Sequence, residues 1–370
     1  MKICFILGSF PYMDCGVGDY TSMLANALAN EKNEISVITS IKANNKVKKI
    51  NVYNIIEEFN FKSIKIILDK LQEIQPDIVN FQYPSRGFRK KIITDILLPL
   101  IIKIKYKNIM LVETVHEYPE QIWKRFKMWN FKYKIMDKTI FVEEYYKDIM
   151  KRKCKRFYNK LDISYIPIGP NIPTSNLSEK EKIDLKETLG LQDKKIISYF
   201  GFARTSKGIE NLFNAISLIN DENIKLLYIG ELRENNKYEK SLLDLINTLG
   251  IKDKVIIAGY LSQNTQVANY LSISDVCVLA YTEGVQSRYG SFLAACNQHI
   301  KIITTSTKDI EDEEGIYYIK PNDSKLLASK IEEVIYKTDI KSNKKINDWN
   351  DIAKQYMIAY NETKLNKEKK

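Results

Sequence analysis

The segment EGVQSRYGSFLAA, Glu283 to Ala295, carries residue types that handle phosphate esters and sugars, and it follows an apolar run from Asp275 to Thr282. Apolar run, polar turn and small-residue stretch read as strand, loop and helix. A helix opening at Gly290 or Ser291 leaves its first N–H groups without intrahelical partners and its positive dipole end exposed, which suits a pyrophosphate. Arg288 adds positive charge, and Glu283 is placed to accept hydrogen bonds from sugar hydroxyls. The same pattern is also that of an ordinary helix N-terminus in an α/β fold.

A second loop, FGFARTSKG from Phe200 to Gly208, also lies between an apolar run and a helical stretch that begins near Ile209. Gly201 permits close backbone approach, and Arg204 and Lys207 are suited to neutralising a diphosphate leaving group. Both loops are expected at the carboxyl ends of neighbouring strands, where open α/β sheets bind ligands. His116 is one of two histidines and stands just past the apolar stretch Ile109 to Val115, as a reactive group or as a satisfied loop histidine. Its neighbour Glu117 either orients a substrate or faces solvent, and His299 reads as a surface loop residue. Asp19 follows two glycines at the start of a helix, where capping or dipole stabilisation competes with a ligand role. No Asp-x-Asp occurs, so no metal is expected; cationic side chains and the helix dipole would neutralise the diphosphate.

These residues need two sheets to carry them. Strand-length apolar runs alternate with helical stretches through both halves of the 370-residue chain, the pattern of parallel sheets wound by crossover helices. The expected strands are 2–8, 34–41, 77–83, 109–115, 139–143 and 164–168, then 195–200, 225–229, 254–259, 275–280 and 301–305. Length alone favours two domains. Pro167, Gly169, Pro170 and Pro173 crowd one stretch, and SEKEK from Ser178 opens a charged helix, so the chain changes domain at about 168–178. The domains are expected at 1–168 and 169–347, with a final helix, 348–365, packing back on the first.

Composition excludes several classes. A hydrophobic fraction of 44% and a charged fraction of 28% are those of a globular protein. The five cysteines are scattered without metal-ligand spacing, which fits reduced cytoplasmic thiols. The opening MKICFILGSF reads as a first strand, not as a signal segment. No stretch reaches the roughly 18 to 20 apolar residues that span a bilayer.

The net charge of +11 is concentrated between Arg86 and Lys160, with twenty Lys plus Arg against eight Asp plus Glu. Aromatics interleave with the cations from Gln121 to Lys134, as on a surface that docks on anionic lipid, although a solvated basic face has the same composition. No zinc-finger, RNP or KH signature supports nucleic acid as a partner.

At this point the chain resembles the family 4 glycosyltransferases of the GT-B type, two Rossmann-like domains with parallel sheets facing across an interdomain cleft. GVGDYT from Gly16 resembles the family's N-terminal glycine-rich loop, VHEYP from Val115 its histidine loop and IPIGPN from Ile166 its crossing. FGFARTSKG resembles its donor phosphate loop, and Trp349 to Tyr356 its terminal helix. The resemblance implies transfer of a hexose-type sugar from a nucleoside diphosphate donor to a glycan or lipid-linked acceptor, with retention and without metal or other cofactor. The setting expected is a cytoplasmic, peripherally membrane-associated enzyme of cell-surface polysaccharide or glycolipid synthesis.

Carried over residue by residue, Gly201, Arg204, Lys207, Arg288 and Ser291 would bind the donor with the amides of Gly284 and Val285, and Glu283 would hold the donor sugar. Tyr260 and Leu261 would read the base. His116 would face the reacting carbon, and Gly16, Gly18, Asp19, Tyr20 and Glu117 would line the acceptor side. Two departures stand out. The family's Glu-x7-Glu has Ser291 at its second position, so the ribose must be held differently; Phe202 stands where an Arg commonly follows the glycine. A GT-B-like sugar-nucleotide epimerase and a catalytically silent sugar-nucleotide-binding partner are the alternatives.

Overall fold

A computed structural model describes the chain except residues 12, 14, 44–48, 86–92, 118–130, 339, 369 and 370. It divides into two compact units, Met1–Gly169 with Asn347–Lys370, and Pro170–Ile346. They part at Gly169–Pro170, inside the proline-rich stretch.

The first unit holds a sheet of seven strands: β1 (Lys2–Ile6), β2 (Glu34–Ser40), β3 (Ile50–Ile56), β4 (Ile78–Tyr83), β5 (Met110–Val115), β6 (Lys138–Phe141) and β7 (Ile163–Tyr165). Their order is β3-β2-β1-β4-β5-β6-β7, and every pairing is parallel. Side chains alternate between two buried layers, as a sheet covered on both faces requires. Ile3 and Phe5 enter one layer with the helices Gly16–Asn30 and Trp349–Glu368, while Cys4 and Ile6 enter the other with the helix Phe61–Ile74.

The second unit has six parallel strands: β8 (Lys195–Phe200), β9 (Ile224–Ile229), β10 (Val255–Ile257), β11 (Val276–Leu279), β12 (Lys301–Thr305) and β13 (Ile316–Ile319). Their order is β10-β9-β8-β11-β12-β13. In both units the winding reverses beside the first strand, between β1 and β4 and between β8 and β11. Such a switch point splays the following loops apart and leaves a crevice at the carboxyl ends of the strands. Both are thus Rossmann-like parallel-sheet units. The helix Glu179–Thr188 opens on a capping box, in which the Ser178 hydroxyl accepts from the Glu181 amide and Glu181 accepts from the Ser178 amide.

Two strands were not expected from the sequence, β3 and β13, and both are sheet edges. The β3 sequence INVYNII mixes polar and apolar residues because its middle is only half buried. β13 is four residues long and follows the acidic stretch 311–314.

The basic stretch also needs correction. Most of the aromatic and basic run from Gln121 to Lys134 lies outside the described residues, but at its described end Lys132 and Tyr133 are buried. Lys132, 0% exposed, is paired at 2.7 Å with Glu113, 2% exposed, and its ammonium stands 3.8 Å from the centroid of the Tyr83 ring. Burial pushes the Glu113 carboxyl up, and Lys132 opposes the shift. Lys138 is buried against Asp162. The exposed cations of this stretch include Lys151, Arg152, Lys155, Arg156 and Lys160, on and after the helix Tyr145–Lys153. No helix of the described residues is long and apolar enough to cross a membrane.

Lys132→Ala would strand a buried carboxylate and should lower stability by about 3–5 kcal/mol in urea unfolding. The double replacement Lys132→Met with Glu113→Leu should recover most of that loss, since it removes both charges together.

Candidate functional site

In the second unit the two loops singled out by the sequence follow β8 and β11, the strands that flank the switch point. They are locked together by backbone. Gly208 has a φ of +62°, and a Cβ built there would sit 1.9 Å from the carbonyl oxygen of Ala280, so only glycine fits. The Thr282 amide donates to the Ser206 carbonyl at 3.1 Å. Gly201 is pressed against Gly230 after β9, where an added Cβ on Gly230 would lie 2.8 Å from the Gly201 carbonyl oxygen.

This lock sets Lys207 between two aromatic rings, its ammonium 4.7 Å from the Tyr281 centroid and 4.9 Å from that of Tyr289. Burial there, with repulsion from Arg204 and Arg288, pulls the Lys207 ammonium down to about 8. Three cations therefore converge beside the helix Gly290–Asn297. That helix starts where the sequence placed it, and its first-turn amides have no intrahelical acceptors. An anion is what this arrangement is suited to receive.

Other residues stand differently from expectation. The Val285 amide, expected in a donor cradle, donates to the Thr305 carbonyl at 2.8 Å, and the Gly284 amide closes a turn onto Tyr281 at 3.4 Å. Both are engaged by the fold, which corrects their assignment as donor-facing N–H groups. Ser291 is 6% exposed, and its hydroxyl lies 2.7 Å from that of Tyr281. Glu283 is exposed at the loop tip. Tyr260, 69% exposed, and Leu261 follow β10, two strands away from β8. Sequence reasoning missed Tyr281, Tyr289, Gly208 and Gly230; the glycine ending FGFARTSKG was the available signal for Gly208.

In the first unit Asn80 and Gln82 on β4, with Thr114 on β5 and His116 just beyond it, share one face of the sheet by strand alternation. His116 is 6% exposed, its Nε2 lies 2.8 Å from Gln82 Oε1, and its amide donates to the Tyr83 carbonyl at 2.7 Å. Tyr20 packs edge-on against the imidazole, centroids 4.5 Å apart. The sequence reading put Tyr20 on the acceptor side, but it is 2% exposed and its hydroxyl lies 2.9 Å from that of Tyr356, so Tyr20 is a core residue. Gly18 is buried under the loop after β1, where a Cβ would come 3.0 Å from the Ser9 carbonyl oxygen. Gly16 and Asp19 are exposed in the first turn of Gly16–Asn30, and Glu117 is exposed beside His116. The Gly8 amide donates to the Ser85 hydroxyl at 2.7 Å, tying the loops after β1 and β4 across this unit's switch point.

A lysine held near 8 makes anion binding pH-dependent in a defined direction. Affinity for a nucleoside diphosphate, followed by calorimetry, should be level below about pH 8 and weaken as pH rises through it, since the free protein then loses the Lys207 proton. Lys207→Arg should keep binding level across that range, because a guanidinium does not deprotonate there.

Residues 181–355 match the family model described as glycosyl transferases group 1. An uncharacterized glycosyltransferase of Methanocaldococcus jannaschii is 31% identical over 138 residues, which is 36% of this chain and 34% of the relative. The chain thus spans about a third of that relative's length. Among solved structures, a glycosyltransferase of Rickettsia africae superposes with a TM-score of 0.75 over 98% of each chain at 19% identity. Anabaena HepE in complex with UDP-glucose superposes at 0.68 over 100% of each chain at 15% identity. Residues 181–355 are thus similar to the glycosyl transferases group 1 family, and the two parallel-sheet units give the chain the GT-B fold.

Proposed function

We propose that this protein is a glycosyltransferase that moves a hexose-type sugar from a nucleoside diphosphate sugar to a glycan or lipid-linked acceptor, in synthesis of a cell-surface polysaccharide or glycolipid. The observation that carries the donor half is Lys207, clamped by Tyr281 and Tyr289 beside Arg204, Arg288 and the start of the helix Gly290–Asn297. Such a cluster stabilises the charge that grows on a departing diphosphate, and electrostatic stabilisation of this kind commonly contributes more to catalysis than any other effect. These cations can neutralise the diphosphate without a metal. The UDP-glucose held by the HepE structure supports a nucleotide sugar as donor. Glu283, exposed at the tip of the same loop, is the group for the sugar hydroxyls, and His116 the one for the reacting carbon. Retention of configuration is part of the reading, and the product anomer seen by NMR tests it.

The buried Ser291–Tyr281 pair favours a second reading, a protein that binds sugar nucleotides without transferring, since no carboxylate stands at position 291. An epimerase would release nucleotide without an acceptor. A thermal-shift screen of nucleoside diphosphate sugars, followed by product analysis with and without acceptor, separates the three. Binding with acceptor-dependent nucleotide release is expected. Binding without turnover, or release indifferent to acceptor, would overturn transfer.

Glu283→Gln should lower kcat/KM about 10- to 100-fold with the fold unchanged by circular dichroism, the range for losing charge-assisted hydrogen bonds.

We place the enzyme at the cytoplasmic face of a membrane, docked through exposed cations such as Lys151, Arg152, Lys155 and Arg156. Flotation with vesicles containing phosphatidylserine should recover more protein than with neutral vesicles. Changing those four residues to Ser should abolish the difference, each cation being worth about 1 kcal/mol. Equal recovery on both vesicle types would rule out the docking.

A further inference from the structure

We infer that Gln82 is a positioning residue, oriented through Asn80 by Tyr360 of the helix Trp349–Glu368, and that it holds His116 with the proton on Nε2 and the lone pair on Nδ1. One buried chain of hydrogen bonds links these residues. Asn80 Nδ2 donates to the Tyr360 hydroxyl at 2.8 Å, which turns Asn80 Oδ1 the other way. That oxygen accepts from the Thr114 hydroxyl at 3.1 Å and from Gln82 Nε2 at 3.0 Å. With its amide nitrogen engaged there, Gln82 presents Oε1 to His116 Nε2 at 2.8 Å. A carbonyl oxygen only accepts, so Nε2 must carry the hydrogen.

Asn80, Gln82, Thr114 and Tyr360 are each 0% exposed, so water does not compete for these bonds. The Tyr20 ring, at 79° to the imidazole, limits its rotation, and the Tyr20 hydroxyl reaches Tyr356 on the same helix. Tyr356 in turn lies 3.0 Å from the Thr114 hydroxyl. The helix therefore holds the chain at two points four residues apart, Tyr356 and Tyr360, which lie on one helical face. A histidine poised in one tautomer presents a fixed acceptor, whereas one that exchanges tautomers presents it only part of the time.

The activity arm of the test rests on the reading of His116 as a group at the reacting sugar; the spectroscopic arm does not. The 370-residue chain labelled with 15N at histidine has two imidazoles, and His299→Asn leaves His116 alone. His299 is exposed with a φ of +54°, a conformation Asn accepts. Long-range 1H–15N correlation at neutral pH should show one neutral tautomer, protonated at Nε2. Gln82→Leu and Tyr360→Phe should yield a mixture of the two tautomers. In transfer assays Gln82→Leu should lower kcat about tenfold or more with the donor KM unchanged, as expected for lost orientation. Wild-type His116 protonated at Nδ1, or an unmixed tautomer in both Gln82→Leu and Tyr360→Phe, would overturn the inference. A protein that shows the expected spectra but transfers no sugar would overturn the functional reading alone.

Discussion

The cationic cluster of the second unit depends on a missing carbon atom. Because Gly208 has no Cβ, the loop after β8 turns in a left-handed conformation directly under the Ala280 carbonyl. The two loops then travel as one body. Lys207, the residue before that turn, is set over Tyr281, the residue after that carbonyl. The convergence of Lys207 with Arg204 and Arg288 follows from this backbone packing. Like charges gathered in one place repel one another, and that repulsion contributes to the depressed Lys207 value. An incoming anion would relieve it, so strain built by the fold is returned on binding.

The first unit solves a different problem. Its sheet carries Asn80, Gln82 and Thr114 on a face that is otherwise a hydrocarbon layer. Buried polar groups are costly unless each finds a partner. Here Asn80 and Thr114 find the hydroxyls of Tyr360 and Tyr356, brought in by a helix from the far end of the sequence, and Gln82 bonds to Asn80 and His116. The polar face of this sheet, the histidine beyond it and the terminal helix are therefore one structure, although more than two hundred residues of chain separate the helix from the rest.

Much of this was legible in the sequence, for identifiable reasons. Central parallel strands are buried on both faces, so β1, β8 and β11 stand out as apolar runs, and β4 and β5 as apolar runs interrupted by the polar residues of one face. Edge strands β3 and β13 are half exposed or very short, and they do not. The two loops were legible because glycine and basic residues at a strand-to-helix turn have a backbone rationale that does not depend on distant residues. Whether an amide is free or engaged does depend on them: nothing in Gly284-Val285 announces that Thr305 takes the Val285 hydrogen. Tyr20 and Lys132 failed for the same reason. Both belong to residue types common at surfaces, and only the arrival of Tyr356 and Glu113 makes them core.

The split of the first unit between Met1–Gly169 and Asn347–Lys370 has a consequence for biosynthesis. As the chain leaves the ribosome, the first sheet emerges with Asn80 and Thr114 still lacking their tyrosine partners. Pro170–Ile346, continuous in sequence, is made complete before those tyrosines exist. The second unit can therefore be complete while the first still lacks its last helix, since domains generally fold as units when their residues are available. Until residues 349–368 are made, the apolar layer they share with the helix Gly16–Asn30 is covered by that helix alone.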